Sequence, residues 1–411
     1  MTVTRIPGWR RGGTRLPREV IVLGVIAFCV AVGFGVLIPV LPVFARSFGV
    51  DNLAVGAVVS VFALMRLLTS PFCGRMINLL GERVILATGI FIVAVSSGLA
   101  GISRSYLQLL LLRGVGGFGS AMFTVSATTL LLTAVEAGLR GRAAGVFQGG
   151  FLIGGMAGPA VGGILSAISL TAPFFFYAGT LAVAGTVGLL MLHPGKGESA
   201  SRAVTTAVPL RQVLRDARYQ AACAANFAQG WTSFGVRMSL VPVLVVEVLH
   251  RPTSWTGITF AIASVAQTVA VGPAGKFVDV VGRRPAMVSG GVLAGLSILA
   301  VPFAPTLWLL VVALSLYGVA AAFLGTAPAA TVGDVAGRSG TAVAIFSMCS
   351  DFGAIIGPLA AGVLADNVSY GAAFGLGAGL LIAAAAAAVR MPRAGRHLDR
   401  TEDDSEPTSA G

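Results

Sequence analysis

The chain has 411 residues, of which 56% are hydrophobic and only 11% are charged, and its formal net charge is +12. A soluble domain of this size with a mean hydropathy of +0.89 would expose large apolar patches, so the composition excludes a soluble globular protein. A lipid bilayer is therefore the expected surrounding of most of the chain.

Twelve apolar segments are long enough to cross a bilayer, which takes about 20 mostly apolar residues in a helix. They predict an all-α membrane protein with twelve transmembrane helices. The first segment is too long for the core of a signal peptide and lacks a small-residue cleavage site, so we expect it to remain as a span. In chain order the predicted spans are 20–43, 53–73, 84–101, 106–133, 143–166, 172–192, 219–248, 255–273, 286–303, 306–332, 340–365 and 370–390.

Positive charge is distributed unevenly around these spans. Most of the 28 lysines and arginines precede the first span, follow the last one, or lie in the connections after even-numbered spans, whereas the opposite connections contain only Arg46, Arg104 and Arg251. Cytoplasmic connections carry the excess of positive residues, so this pattern predicts a multi-pass protein with both termini in the cytoplasm. The net charge follows from that topology and does not indicate nucleic-acid binding. The preference for arginine, alanine, glycine and valine suggests a GC-rich bacterium and hence the inner membrane.

The chain divides into two predicted halves because a glycine-proline element occurs twice, as GxxxGPxxGG at 154–163 and as GxxxGPxxxG at 353–362. Glycines four residues apart form a smooth stripe that lets another helix approach, and proline removes a backbone hydrogen bond and bends the helix. We interpret both copies as hinges, with hinge residues Gly154, Gly158, Pro159, Gly162, Gly353, Gly357 and Pro358. The predicted domains are an N-terminal segment (1–19), an N-terminal six-helix bundle (20–192), a linker (193–218), a C-terminal six-helix bundle (219–390) and a disordered tail (391–411).

A second repeated element joins helices 2 and 3 and again helices 8 and 9. Residues 74–83 read GRMINLLGER and residues 275–284 read GKFVDVVGRR, and both resemble the loop G-x-x-x-D-x-x-G-R-K/R of the major facilitator superfamily. The first copy departs from the pattern, with Asn78 in place of aspartate and Glu82 in place of a basic residue, so the resemblance does not support an acid-based lock there. The resemblance extends over all twelve helices and implies two pseudo-symmetric bundles with gating loops at Gly74, Asn78, Gly81, Arg83, Gly275, Asp279, Gly282, Arg283 and Arg284.

Two further motifs resemble those of exporters within that superfamily. Residues 113–121, RGVGGFGSA, are similar to the R-x-x-x-G-x-G-A-A element of helix 4, and residues 154–163 are similar to the helix 5 signature. The chain thus resembles the twelve-helix drug:proton antiporters, the multidrug efflux family. This implies a monomeric secondary active transporter that exports small amphiphilic or drug-like molecules by alternating access and proton antiport. A facilitator or proton symporter for a nutrient such as a sugar or an organic acid is the alternative.

Four ionisable residues lie inside the apolar runs, where each costs about 2.5–3.5 kcal/mol at a helix centre. They are Arg66, Arg113, Arg237 and Asp351, and we take them as candidates for proton coupling. Helix 2 borders helix 11 in the superfamily, so we predict an ion pair between Arg66 and Asp351, with Arg237 as the competing partner. A static ion pair is the alternative to proton coupling. The resemblance links Arg113 to proton coupling, with helix packing as its alternative role.

The resemblance also implies that helices 1, 4, 7 and 10 line a substrate cavity, flanked by helices 5 and 8. Interhelical hydrogen bonding or core packing is the alternative role for the polar and aromatic residues among them. Three membrane arginines against one aspartate predict a cavity that favours neutral or anionic amphiphiles over cations. Besides Arg113 and Arg237, the predicted cavity residues are Phe34, Gln148, Asn226, Gln229, Trp231, Gln267 and Tyr317.

The four cysteines and three histidines form no pattern typical of a metal site. Each cysteine lies within or at the end of an apolar helix, and the histidines lie at membrane edges or in the tail. We therefore expect no metal and no cofactor, and a protein that is not an enzyme. The expected partners are a small-molecule substrate, protons and the lipid bilayer.

Overall fold

The computed structural model describes residues 16–135, 139–192, 210–336 and 340–391. Within these ranges twelve helices are long and apolar enough to cross a membrane, and each predicted span overlaps one of them, which confirms the predicted fold class. The helices are α1 (Arg18–Leu37), α2 (Asn52–Leu80), α3 (Glu82–Ala100), α4 (Tyr106–Thr133), α5 (Arg140–Ile168), α6 (Ala172–Met191), α7 (Ala217–Val248), α8 (Thr253–Val280), α9 (Arg283–Ala300), α10 (Leu307–Ala336), α11 (Gly340–Asn367) and α12 (Tyr370–Val389).

Most of the predicted N-terminal segment, linker and tail lies outside the described residues, so these three assignments stay predictions. An even number of crossings brings Leu16 and Met391, the two ends of the described chain, to the same side of the bundle. We call this side the terminal face and the opposite side the distal face.

The first predicted span is interrupted before the distal face. Helix α1 ends at Leu37, and after a turn that contains Pro39 the chain forms a separate short helix at Leu41–Arg46. Proline has no backbone N–H and its ring clashes with the carbonyl one turn earlier, so the first helix does not continue through it. The short helix brings Arg46 to the distal face.

Helix α7 is irregular in a way that hydropathy did not predict. It begins as an α-helix at Ala217–Gly230 and continues in wider π-helical turns at Trp231–Met238 and Leu244–Val248. Thr232 donates its hydroxyl hydrogen to the carbonyl of Ala228 at 2.8 Å, and such back-bonding by a hydroxyl side chain often bends a helix. Such π-helical turns are often found at functional sites.

Both glycine-proline elements pack a helix against its neighbour within the same half. A Cβ atom on Gly154 of α5 would lie 2.5 Å from the carbonyl oxygen of Phe28 on α1. On α11, a Cβ on Gly357 would lie 2.8 Å from the carbonyl oxygen of Trp231 on α7. The stripes therefore allow the close approach of another helix that the sequence predicted. The partner helices, α1 for α5 and α7 for α11, were not predicted, and the role of both elements as hinges stays a prediction.

The two halves meet along α2 and α11 and along α5 and α8, and they meet most closely near the distal face. A Cβ on Gly163 of α5 would lie 3.1 Å from the Cα of Gly257 on α8. Nearer the terminal face on the same helices, Cβ atoms on Gly145, Gly149 and Gly272 would have no other atom within 4 Å. The halves therefore diverge toward the terminal face, and the structure is closed at the distal face.

Replacing Gly154 with alanine is expected to lower the melting temperature of the purified protein in detergent. The added methyl group has no space between α5 and α1, and overpacking of this kind costs about 1–3 kcal/mol. Gly149→Ala is the matched control, because it lies on the same helix with open space around its Cβ position. Thermal unfolding of both variants checks this, and equal melting temperatures would contradict the proposed packing of α5 on α1.

Candidate functional site

A cavity of about 430 Å³ lies mainly within the N-terminal half. This volume is within the range of about 300–1,000 Å³ that is usual for small-molecule sites. Helices α1, α2, α4, α5 and α6 form most of its wall, and α7 closes it from the other half. Its lining residues are Val30, Ala31, Phe34, Gly35, Ile38, Val59, Phe62, Ala63, Arg66, Arg113, Ser120, Phe123, Thr124, Gln148, Phe151, Gly155, Tyr177, Phe234 and Met238.

Aromatic rings dominate the lining. The centroids of Phe34 and Phe62 are 6.0 Å apart, and those of Phe123 and Phe151 are 6.3 Å apart, both in tilted arrangements. Aromatic pairs at these separations are favourable and present large apolar surfaces. The wall of the cavity thus suits an apolar or aromatic body.

Arg113 is the most buried charged side chain on this cavity. Only 3% of the residue is exposed, and its guanidinium carbon lies 4.4 Å from the ring centroid of Phe62. The glycine-rich sequence after Arg113 produces this arrangement, since Gly117 packs directly on the backbone of Phe62 and draws α4 against α2. Its Nε atom has no hydrogen-bond partner, and among the described residues no carboxylate forms a salt bridge with Arg113.

The predicted pair of Arg66 and Asp351 forms across the two halves. The Arg66 Nη2 atom on α2 donates to Asp351 Oδ1 on α11, and 33% and 25% of the two side chains are exposed. Three contacts precede it from the distal face inward, namely Asn52 with Asp366, Gly56 with Pro358, and Ser60 with Ile355. The ion pair is thus located where α2 and α11 begin to separate.

Arg237, the predicted competitor for Asp351, makes a different set of contacts. Its guanidinium carbon lies 5.2 Å from the ring centroid of Phe260 and 5.8 Å from that of Tyr317. The residue lies in the π-helical part of α7, which directs it toward α8 and α10. The predicted competing pair is therefore absent, and Arg237 is held by aromatic rings.

Of the predicted cavity residues, Phe34, Arg113 and Gln148 line this cavity, and the six in the C-terminal half do not. Asn226 donates to the carbonyl of Phe346 at 2.7 Å, and Gln229 donates to Ser233 Oγ at 3.3 Å. The hydroxyl of Tyr317 shares a hydrogen bond with Ser233 at 3.1 Å, Trp231 is 7% exposed against Phe227, and Gln267 is half-buried on α8. The polar residues of α7 and α10 are thus engaged in internal contacts, and the cavity lies mainly in the N-terminal half.

The sequence analysis did not predict the contacts that close the distal face. Arg46 Nε lies 2.6 Å from Glu247 Oε1, and this hydrogen bond raises the pKa of Arg46 above its ordinary value. Asp366 of α11 accepts hydrogen bonds from the backbone N–H groups of Asn52 and Leu53, at 3.1 and 2.9 Å, and from the Asn52 side chain at 2.7 Å. The sequence feature that accompanies these contacts is the presence of opposite charges at the distal ends of the spans.

The two predicted gating loops adopt the same backbone turn. Gly81 has φ +82° and Gly282 has φ +115°, conformations that favour glycine, and each precedes the next spanning helix. Asn78 and Asp279 are both exposed. Arg283 forms its ion pair with Asp334 of α10, Nε to Oδ2 at 2.8 Å, a partner that was not predicted. The gating role of the loops stays a prediction.

Two curated relatives cover different shares of the chain. The synaptic vesicular amine transporter of Bos taurus is 28% identical over 329 residues, which cover 78% of this chain and 62% of that protein. The quinolone resistance protein NorA of Staphylococcus aureus is 28% identical over 185 residues, which cover 45% of this chain and 47% of NorA. The chain therefore spans less than two thirds of the length of either relative. The match to NorA supports the resemblance to drug efflux proteins.

Solved structures with the same fold include a bacterial homologue of the human lysosomal transporter Spinster in its inward-facing, unoccupied conformation, with a TM-score of 0.71 at 17% identity over 90% of this chain and 94% of that one. The nucleoside transporter NupG has a TM-score of 0.70 at 17% identity over 91% and 98% of the two chains. The profile of the Major Facilitator Superfamily matches residues 23–265 and 222–410. Together with the twelve spanning helices, this match establishes that the chain belongs to the Major Facilitator Superfamily.

Proposed function

We propose that this protein is a secondary active transporter that exports small amphiphilic or drug-like molecules by alternating access, driven by proton antiport. The observation that carries the proposal is the ion pair of Arg66 and Asp351, which joins the two halves beside the cavity. A titratable acid at a contact between moving halves can couple its protonation to their movement. The names of the matched relatives, an amine transporter and a quinolone resistance protein, are consistent with the transport and efflux of small molecules.

The direction of proton movement follows from the contacts of Asp351. In the present conformation, which is open at the terminal face, Asp351 is paired with Arg66, and we propose that its proton is released there. A conformation that opens the distal face and separates α2 from α11 would break this pair, and we propose that Asp351 takes up a proton in it. Protons therefore enter from the distal side and leave at the terminal face, the direction that drives export.

The proposed location is the bacterial inner membrane, with the terminal face in the cytoplasm and one chain as the working unit. The described arginines near the ends of spans at that face support this orientation. They include Arg83, Arg142, Arg215, Arg283 and Arg284. In this orientation the cavity of the present conformation takes substrate from the cytoplasm.

Export is tested in efflux-deficient bacterial cells that produce the protein and are preloaded with fluorescent amphiphiles of anionic, neutral and cationic charge. We expect faster loss of at least one compound than in vector-only cells, and a return to the vector rate when a protonophore is added. Export that continues unchanged with the protonophore would contradict proton antiport. Gradient-driven accumulation of a sugar or an organic acid would favour the nutrient symporter instead.

A further inference from the structure

We infer that Arg113 is the anion-binding residue of the cavity, and that the substrates are small amphipathic aromatic monoanions. Their carboxylate or sulfonate group pairs with the Arg113 guanidinium, and their ring system packs among the cavity phenylalanines. This assignment rests on the proposed transport function, because it names the substrate class of the same cavity.

The cavity wall carries an unbalanced positive charge. Asp351 already neutralises Arg66, and Arg237 lies against two aromatic rings outside the cavity lining. Among the described residues of the lining, Arg66 and Arg113 are the charged ones, and none is an aspartate or a glutamate. Arg113 therefore contributes a positive charge that the cavity wall leaves without a counter-ion.

The positive charge of Arg113 is buried. Only 3% of the residue is exposed, and a charge in such a position is unfavourable unless it is paired or hydrogen-bonded. Stacking on Phe62 offsets part of this cost, and it fixes the orientation of the guanidinium. An anion in the cavity supplies the missing partner through charge-assisted hydrogen bonds.

The rest of the cavity wall is mainly apolar, with a few polar side chains. Four polar side chains, Ser120, Thr124, Gln148 and Tyr177, are interspersed among five phenylalanines and several aliphatic side chains. An ammonium group entering this space would meet Arg113, and the Asp351 carboxylate beside the cavity is already paired with Arg66. A flat aromatic ring with one negative substituent matches both the apolar wall and the single cation.

Equilibrium binding on purified protein in lipid nanodiscs tests the assignment with three probes that share one ring system: 1-naphthoate, 1-naphthamide and 1-naphthylmethylammonium. We expect 1-naphthoate to bind at least about tenfold more tightly than the other two, corresponding to about 1.4 kcal/mol. Arg113→Gln should remove this preference by weakening 1-naphthoate alone, and Arg113→Lys should retain part of it. Arg237→Gln is the matched control, a membrane arginine outside the cavity lining, and should keep the wild-type preference.

Equal loss of 1-naphthoate and 1-naphthamide binding in Arg113→Gln would overturn the assignment, because it would indicate a packing role. If that variant fails to fold, the wild-type charge series decides by itself, and tighter binding of the amide or the ammonium compound overturns the assignment. Binding is measured without a proton gradient, so the two proposals fail separately. A protonophore-sensitive exporter that prefers cations contradicts the substrate class only, whereas a protein that binds 1-naphthoate but moves nothing contradicts the proposed function.

Discussion

Replacing Asp351 with asparagine is expected to abolish gradient-driven transport in proteoliposomes while leaving substrate counterflow near the wild-type rate. Asparagine keeps the size of the side chain and still accepts a hydrogen bond from Arg66, so the contact of α2 with α11 is retained. It cannot bind and release a proton, so transport is no longer coupled to the pH gradient. We expect the gradient-driven rate to fall to that of protein-free vesicles, and counterflow to change by less than about twofold.

A matched control separates proton coupling from the loss of any aspartate-arginine pair. Asp216 pairs with Arg218 at 2.7 Å at the start of α7, within one half, and this contact lowers the pKa of Asp216. Asp216→Asn removes a carboxylate of the same type without touching the contact between halves, and should keep proton-driven transport. If Asp351→Asn transports at the wild-type level under a gradient, Asp351 belongs to a static ion pair and the coupling proposal fails.

The pair itself was predictable because two independent features of the sequence converge on it. Charged residues inside apolar spans are few, and Asp351 is the acid among them, so its choice of partner is limited. Pairing α2 with α11 came from the superfamily resemblance, and hydropathy located all twelve helices. Because charged residues in the spans are few and each is unfavourable alone, the sequence together with its family resemblance predicts a contact between residues 285 positions apart.

The cavity was harder to predict because its position depends on how closely whole helices pack. The sequence shows polar residues on α7 and α10, yet Gly230 and Gly235 bring the backbone of α7 against α11 and leave those residues in internal contacts. The π-helical turns of α7 also rotate Arg237 away from the position that an ideal helix would give it. Such shifts arise from packing between helices, and no local pattern in the sequence specifies them.

The closure of the distal face was missed for another reason. Arg46 and Glu247 are 201 positions apart, and each is an ordinary charged residue at a helix end. Charges at such positions are usually solvated, so neither residue stands out from the other charges at the membrane edges. Their pairing becomes visible only when the interruption of the first span at Pro39 brings Arg46 into place.

The second large effect is expected at the distal face, where Asp366→Ala should increase the population of the distal-open conformation by about tenfold. The Asp366 carboxylate accepts two backbone N–H groups and one amide side chain at the start of α2, in the opposite half. An anion at a helix N-terminus is favourable, and hydrogen bonds to a charged group contribute about 1.5–3 kcal/mol each when buried. Asp366 is exposed, so we expect a smaller total of about 1.4 kcal/mol, which is tenfold in population.

Helix α2 provides its own control for this prediction. Asp51 caps the same helix from within the N-terminal half by accepting a hydrogen bond from the Ala54 backbone N–H at 2.8 Å. Asp51→Ala should weaken the start of α2 by about 1 kcal/mol without loosening the contact between halves. Spin labels at Ile102 and Val368, which are 59% and 67% exposed on opposite halves of the distal face, report the opening as a longer distance in pulsed electron resonance.

A longer distance in Asp366→Ala alone supports the closure, and identical distance distributions in both variants and the wild type would contradict it. The expected shift remains below complete opening because α2 and α11 are also joined farther inward. Arg66 lies 14 residues beyond Asn52, about 21 Å along the helix at 1.5 Å per residue, and its pair with Asp351 is retained in this variant. Adding Asp351→Ala, which removes this pair, to Asp366→Ala should therefore open the distal face further than either change alone.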